Sequence, residues 1–440
     1  MVRQAHHEHL ATRTIRAGRK LRGLIGWRWQ PNGIRHMAEP PDTDSAAEEA
    51  PQRPGRAARA AAFDFLCQTL SAGPVRPAPG THDPDWVALV EQANRERVVS
   101  QLYATFEARG WPADSPQDLR DYLALVYQAN AEQNRAIRKQ ALETAEILNR
   151  AGAGFVFLKG ANWLLEAPED RIGERWLADI DLAIAPRDWD TALAAIEAAG
   201  YREAADPAVY QKHFHHTPLA REGDRVTIEL HRHLGWQRHL LTTDEVVAAA
   251  QPAPAFPQAR LCSPMHRFIY GCLHAQLQNM EYAAGQFSLR DLCDIQYLLA
   301  TRQAELDWRA IGDLAQARGI FAYLAASLHL AHRLLGLEIP EPFAASRRAR
   351  AHASRCLMQH RGNLRPRLTG FAIKLAWLMD SRRLAYELDC EKAPWLLRQP
   401  LIAGGRIASV LRRVAYGRRD VTGSPVTAEL PPEELPTAES

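Results

Sequence analysis

Lysines and cysteines are few in this chain, and several patterns that would classify it quickly are missing. Six of the 440 residues are cysteines, none in a C-x-x-C pair. That is too sparse for a disulfide framework and fits a reducing compartment. No apolar run approaches the roughly 18–20 residues needed to span a bilayer. The N-terminal segment has no apolar core or small-residue cleavage site of the secretory kind. A cytoplasmic protein without a membrane span is therefore expected. The formal net charge is only +3, from 54 basic and 51 acidic side chains, so the chain as a whole gives no electrostatic case for nucleic acid or an anionic membrane. There is no aromatic-interleaved basic stretch and no G-x-x-x-x-G-K-[ST] phosphate loop. What remains is a globular composition, 46% hydrophobic and 24% charged, which excludes collagen-like and wholly disordered classes. With six lysines against 48 arginines, any lysine at a special position stands out.

At roughly 150 residues per domain, the length predicts two or three units. Residues 1–58 read as a leader, because the Pro-, Ala- and charge-rich stretch 38–56 has no apolar period to offset ordering entropy. The tail 422–440 reads the same way. Residues 59–150 are patterned as helices, the longest over 117–151, with Leu123, Tyr127, Ile137, Ala141 and Leu148 on one side and Gly152 placed to stop it. The texture changes at 151–236. FVFLKG (155–160) and ADIDLAIAP (178–186) read as strands, a helix follows from Pro186, and 214–235 reads as two strands around an Arg-Glu-Gly-Asp turn. Helices resume over 237–421, opened by Ser263-Pro264 and by Ser288 ahead of Asp291, with an amphipathic segment at 406–419. The fold class expected is α+β: a small mixed sheet inside a mostly helical protein.

The sharpest chemical feature is Asp179-Ile180-Asp181. Period-two alternation sends both carboxylates to one face, about 7 Å apart, while Ile180 and Leu182 enter the core. Such a pair is relieved by a cation, and Mg²⁺, which keeps water and phosphate oxygens in its shell, suits it; Mn²⁺ is the alternative ion. The plainer reading is two acids on the wet face of an edge strand. Glu229 in VTIELH projects to the side of Thr227 and His231, and would complete a D-x-D…E set able to hold divalent ions and a triphosphate. Upstream, Lys159-Gly160 closes a strand and opens a helix, a junction where backbone N–H groups and an ammonium can meet phosphate. Arg175 is read either as a phosphate clamp or as a partner of Asp179. His213, His215, His216 and His233 read as exposed hairpin histidines rather than a zinc site, with His231 the exception that shares the Glu229 face. His274 is read as a hydrogen-bonded residue at the edge of the site, and Asp291 and Asp294 as structural.

Taken in order, LKG, then Arg175 with A-D-I-D-L, then a helix ending in Gly-Tyr, then I-E-L-H, resembles the nucleotidyltransferase superfamily of DNA polymerase β type. The resemblance is closer to the bacterial uncharacterised nucleotidyltransferases marked by LKG…R-x-x-x-D-I-D-L, and it covers about 85–300. It implies Mg²⁺-dependent transfer of a nucleoside monophosphate from an NTP to an acceptor, whether a small molecule, a peptide or a component of a polysaccharide pathway. Asp179, Asp181 and Glu229 match the metal carboxylates, and Lys159 and Gly160 match the LKG position. The usual Gly-Gly or Gly-Ser is here Gly160-Ala161. Two rival readings are a toxin-like enzyme acting on tRNA and a non-catalytic adaptor that keeps the fold.

Overall fold

The computed structural model describes residues 54–72, 85–210 and 213–362. The expected tail, the 406–419 segment and most of the expected leader lie outside these residues. Within the described part of the leader, helix α1 (Arg56–Leu70) already begins, ahead of the expected limit at 58. Helices α2 (Trp86–Arg95) and α3 (Val99–Arg109) follow, the first capped by the Asp85 carboxylate accepting from the Ala88 N–H.

Helix α4 (Gln117–Arg150) is 34 residues long, about 51 Å, and joins two hydrophobic cores. Its Leu119 and Leu123 belong to a helical core; Ala131, Ile137, Ala141, Ala145 and Leu148 belong to a core under the sheet. It ends where expected, with Gly152 at φ +69°, a left-handed conformation that glycine adopts without a Cβ penalty.

Among the described residues, seven strands form a mixed sheet in the order β3-β4-β5-β2-β1-β7-β6. Strand β1 (Phe155–Phe157) runs antiparallel to β2 (Asp179–Ile184), and β2 runs parallel to β5 (Thr227–His231). The edges are two-residue strands: β3 (Arg202–Glu203) and β4 (Leu219–Ala220) beside β5, and β7 (Arg260–Leu261) and β6 (Gln251–Pro252) beside β1. The last two lie beyond residue 236 and are too short to show alternation in sequence. Helix α5 (Lys159–Glu166) leaves β1 after a single residue, α6 (Trp189–Ala198) follows β2, and the short α7 (Pro207–Tyr210) precedes β4. The fold is α+β.

The two sheet faces have different fates. Phe155, Phe157, Ile180, Leu182, Ile228 and Leu230 fill the core under the sheet, each burial worth about 2 kcal/mol. Val156, Leu158 and Ala183 point the other way, into the helical core. Asp179 and Asp181 share the parity of Ala183, so their carboxylates face the helices. Those helices are α8 (Thr243–Ala248), α9 (Pro264–Leu273), α10 (Glu281–Ala284), α11 (Leu289–Arg302), α12 (Trp308–Ala317), α13 (Phe321–Leu335) and α14 (Arg347–His360). The sequence pattern carries α9 on as one helix through Gln278. Instead, His274–Gln278 widens into a π turn, a distortion frequent at functional sites. Among the described residues no helix is long and apolar enough to cross a membrane.

Candidate functional site

The register of β2 against β5 sets the geometry. Asp179 lies beside Thr227, Asp181 beside Glu229, and Ala183 beside His231, so the odd-numbered side chains of both strands share one face. Asp181, Glu229 and His231 each offer a ligand atom, all within 4.8 Å of one another. Asp179 sits two residues back on β2, outside that trio.

Asp181 is the hinge of the cluster. It is 2% exposed, and one carboxylate oxygen, Oδ1, accepts from Lys159 Nζ at 2.7 Å and from His231 Nε2 at 2.8 Å. Its backbone carbonyl also accepts from the Leu158 N–H at 2.9 Å, tying the end of β1 to β2. Burial alone would raise the Asp181 carboxyl. The Lys159 ammonium and the His231 hydrogen bond overcome it and hold the group well below the usual carboxylate range. Lys159, half-buried, stays charged because Asp181 faces it. The neighbouring acids move the other way. Burial, followed by the Asp181 charge, pushes Asp179 up to about 6 and Glu229 up to about 8. Three carboxylates crowded on one face oppose one another's ionisation, and a bound cation would relieve that repulsion.

Lys159 reaches Asp181 from a strained position. Its φ is +45°, left-handed for a residue with a Cβ, which costs about 1–3 kcal/mol. This is the strand-to-helix turn of Leu158-Lys159-Gly160. A Cβ on Gly160 would stand 2.2 Å from Nη1 of Arg175, so glycine is required for the guanidinium to lie against the turn.

Arg175 forms its ion pair with Asp294 and not with Asp179. It is 5% exposed and clamps Asp294 on α11 through two parallel bonds, Nε–Oδ1 and Nη2–Oδ2, each 2.7 Å. Asp291, by contrast, keeps the expected capping role: its N–H donates to the Ser288 hydroxyl and its carboxylate pairs with Arg290. The loop carrying Arg175 is stapled to α4. Asn130 donates to the carbonyls of Gly173 and Arg175, and Asn134 to those of Ile172 and Arg175, at 2.7–3.1 Å. Neither asparagine was singled out from sequence. Their signal was present: two amides four residues apart on the line Leu123–Tyr127–Ile137, where apolar side chains are expected.

The histidine expectation needs correction. His213, His215 and His216 are not exposed hairpin residues. His215 bridges to His231 across the strand edge, its side chain is 10% exposed, and its Nε2 lies 3.7 Å from Glu229 Oε2. The His213 ring packs against it, centroids 4.0 Å apart. His216 alone turns away, towards Glu203. Burial, with His231 next, lowers His215 to about 2 and His213 to about 4, so both rings are neutral. From the helical side, Tyr270 and His274 feel the charges of Lys159 and Asp181. Burial raises the Tyr270 hydroxyl and lowers the His274 imidazole, and the Tyr270 hydroxyl has no hydrogen-bond partner among the described residues.

The donor set of carboxylates and imidazole fits a divalent cation: negative, partly open, and short of positive charge. A profile of the family described as uncharacterised nucleotidyltransferase matches residues 82–336, more than half of the chain. No curated protein and no solved structure matches.

Proposed function

The chain belongs to the uncharacterised nucleotidyltransferase family, and from that premise we propose that it moves a nucleoside monophosphate from an NTP to an acceptor hydroxyl. The observation that carries this reading is the in-register pairing of Asp181 with Glu229 on parallel strands, directly across from the Lys159-Gly160 turn. Asp179, Asp181 and Glu229 would hold the divalent cation. Such an ion, of Mg²⁺ or Mn²⁺ type, supplies Lewis-acid stabilisation of charge on the α-phosphate and departing pyrophosphate.

The chain's own residues account for the remainder. Gly160 lies in the first turn of α5, where backbone N–H groups lack intrahelical acceptors and face anions. The Lys159 ammonium, which donates to Asp181, would also offer its charge to phosphate oxygens held at this turn. The acceptor oxygen bonds to the α-phosphorus, and the bond from that phosphorus to the bridging oxygen breaks with its electron pair. The hydroxyl proton passes to Glu229, which at 19% side-chain exposure is more open than Asp181. Arg175 enters as a positioning residue, since its guanidinium packs on the turn that carries Lys159.

A second reading, a non-catalytic adaptor that keeps the fold, is favoured by one observation: Lys159 already sits on Asp181 at 2.7 Å, a resident cation where a metal would bind. The two readings separate on incubation of the protein with α-labelled NTPs, Mg²⁺ or Mn²⁺ and cell extract. Label transfer by the wild type and none by Asp179→Ala/Asp181→Ala is expected. Equal behaviour of the two proteins would remove the catalytic claim.

A further inference from the structure

We propose that His215 is a ligand of the metal ion at this site, and that the ion is therefore a first-row transition ion rather than Mg²⁺. The inference rests on the reading of Asp181 and Glu229 as a metal centre and adds to it a residue from outside the D-x-D…E set. His215 Nδ1 lies 2.7 Å from the carbonyl oxygen of His216. A carbonyl only accepts, so Nδ1 carries the proton and donates. The lone pair of the neutral ring is then on Nε2, which faces Glu229 Oε2 at 3.7 Å. That distance is too long for a hydrogen bond whether or not Glu229 is protonated. Two electron-rich atoms thus face each other at a separation that suits two ligands of one ion. Two donors each about 2.1 Å from one tetrahedral ion stand about 3.4 Å apart, close to what is seen.

The hydrogen bond on the far nitrogen points the same way. Metal-ligating histidines commonly donate their other N–H to a backbone carbonyl, which fixes both tautomer and ring orientation. His231 has the opposite arrangement: its Nε2 is taken by Asp181 Oδ1 at 2.8 Å and it is fully buried, so it orients Asp181. The two histidines divide the work between β5 and the bridge residue beside it. His231 positions one carboxylate, and His215 supplies a nitrogen beside the other. Imidazole nitrogen favours transition ions, whereas Mg²⁺ takes oxygen almost exclusively.

Mn²⁺ is the probe. Full-length protein is titrated with Mn²⁺ and followed by electron paramagnetic resonance, with pulsed measurements reading nitrogen coupled to the bound ion, and Mg²⁺ is titrated in competition. Wild type should bind Mn²⁺ at least tenfold more tightly than Mg²⁺ and show an imidazole nitrogen signal. His215→Phe, which keeps a ring in the aromatic cluster, and His215→Gln should both lose that signal and weaken Mn²⁺ by tenfold or more while leaving the Mg²⁺ affinity extracted from the competition unchanged. A nitrogen signal and Mn²⁺ affinity that persist in both variants would overturn the assignment. If Asp181→Asn and Glu229→Gln still abolish binding in that case, the metal centre stands and only the role of His215 falls. If the wild type binds neither ion, both fall.

Discussion

Two buried polar clusters lie on either side of Gly160, and they are built on opposite principles. In one, Arg175 and Asp294 meet fork to fork through two 2.7 Å bonds, opposite charges matched one to one. In the other, Asp179, Asp181 and Glu229 share one lysine, Lys159 holds a left-handed backbone, and His215 turns a lone pair towards a carboxylate. Matched charges fix geometry. Unmatched ones store an unmet demand for a cation or substrate, which is the usual price of function in a fold. The two clusters touch: Arg175 lies against the turn that carries Lys159, and Asp294 joins that turn to the helical half.

If this division is right, variants in the two clusters should fail differently. Glu229→Gln removes a titratable carboxyl from the crowded face, so it should cut nucleotide transfer by about 100-fold or more while leaving thermal stability equal to the wild type or higher. Parallel transfer assays and melting curves check this; a joint loss of transfer and stability would place Glu229 in the supporting class. Asp294→Ala should do the reverse. Leaving Arg175 buried without its partner costs about 3–5 kcal/mol, read as a lower denaturation midpoint, with transfer falling only in proportion to the folded fraction and to the displaced turn. Arg175→Lys should not rescue, because an ammonium cannot reproduce the paired fork.

Gly160→Ala tests the contact between the clusters. The new methyl would meet the guanidinium, and because Asp294 pins that group it cannot simply swing aside, so a loss of about 1–3 kcal/mol is expected. In an Arg175→Ala background the same substitution should cost little. A double-mutant cycle measures the difference, and additive effects would mean that the turn does not feel Arg175.

How far the sequence revealed this division depends on how local each signal was. The D-I-D strand, the Lys159-Gly160 turn, Gly152 and the Ser288 cap were legible because each rests on period-two alternation or a single backbone preference. Glu229 was legible because alternation on its own strand fixed its face, although its partner lies 48 positions away in sequence (229 minus 181). The partner of Arg175 was not, since the Arg175–Asp294 pair spans 119 positions and no local pattern encodes it. His215 was misassigned for a related reason. Alternation placed it on a face but could not say that the adjacent strand would bring Glu229 and His231 beside it.

The smallest effect isolates burial from any metal. Glu281, at the start of α10, is buried outside both clusters; desolvation, with Asp291 next, raises its carboxyl to about 9 from 4.5. A carboxyl raised on folding keeps its proton in the native state after the unfolded chain has lost it. Between pH 4.5 and 9 the unfolded state therefore binds fewer protons, and stability falls as pH rises through that window. Glu281→Gln removes the titration while keeping the shape. It should be near neutral at pH 5 and stabilising at pH 8, read as a higher Tm at pH 8 only, and melting curves at the two pH values decide it. Divalent ions should leave that difference untouched, because Glu281 belongs to neither the matched pair nor the acidic trio. An ion-dependent shift would draw the acidic face wider than the three strand carboxylates.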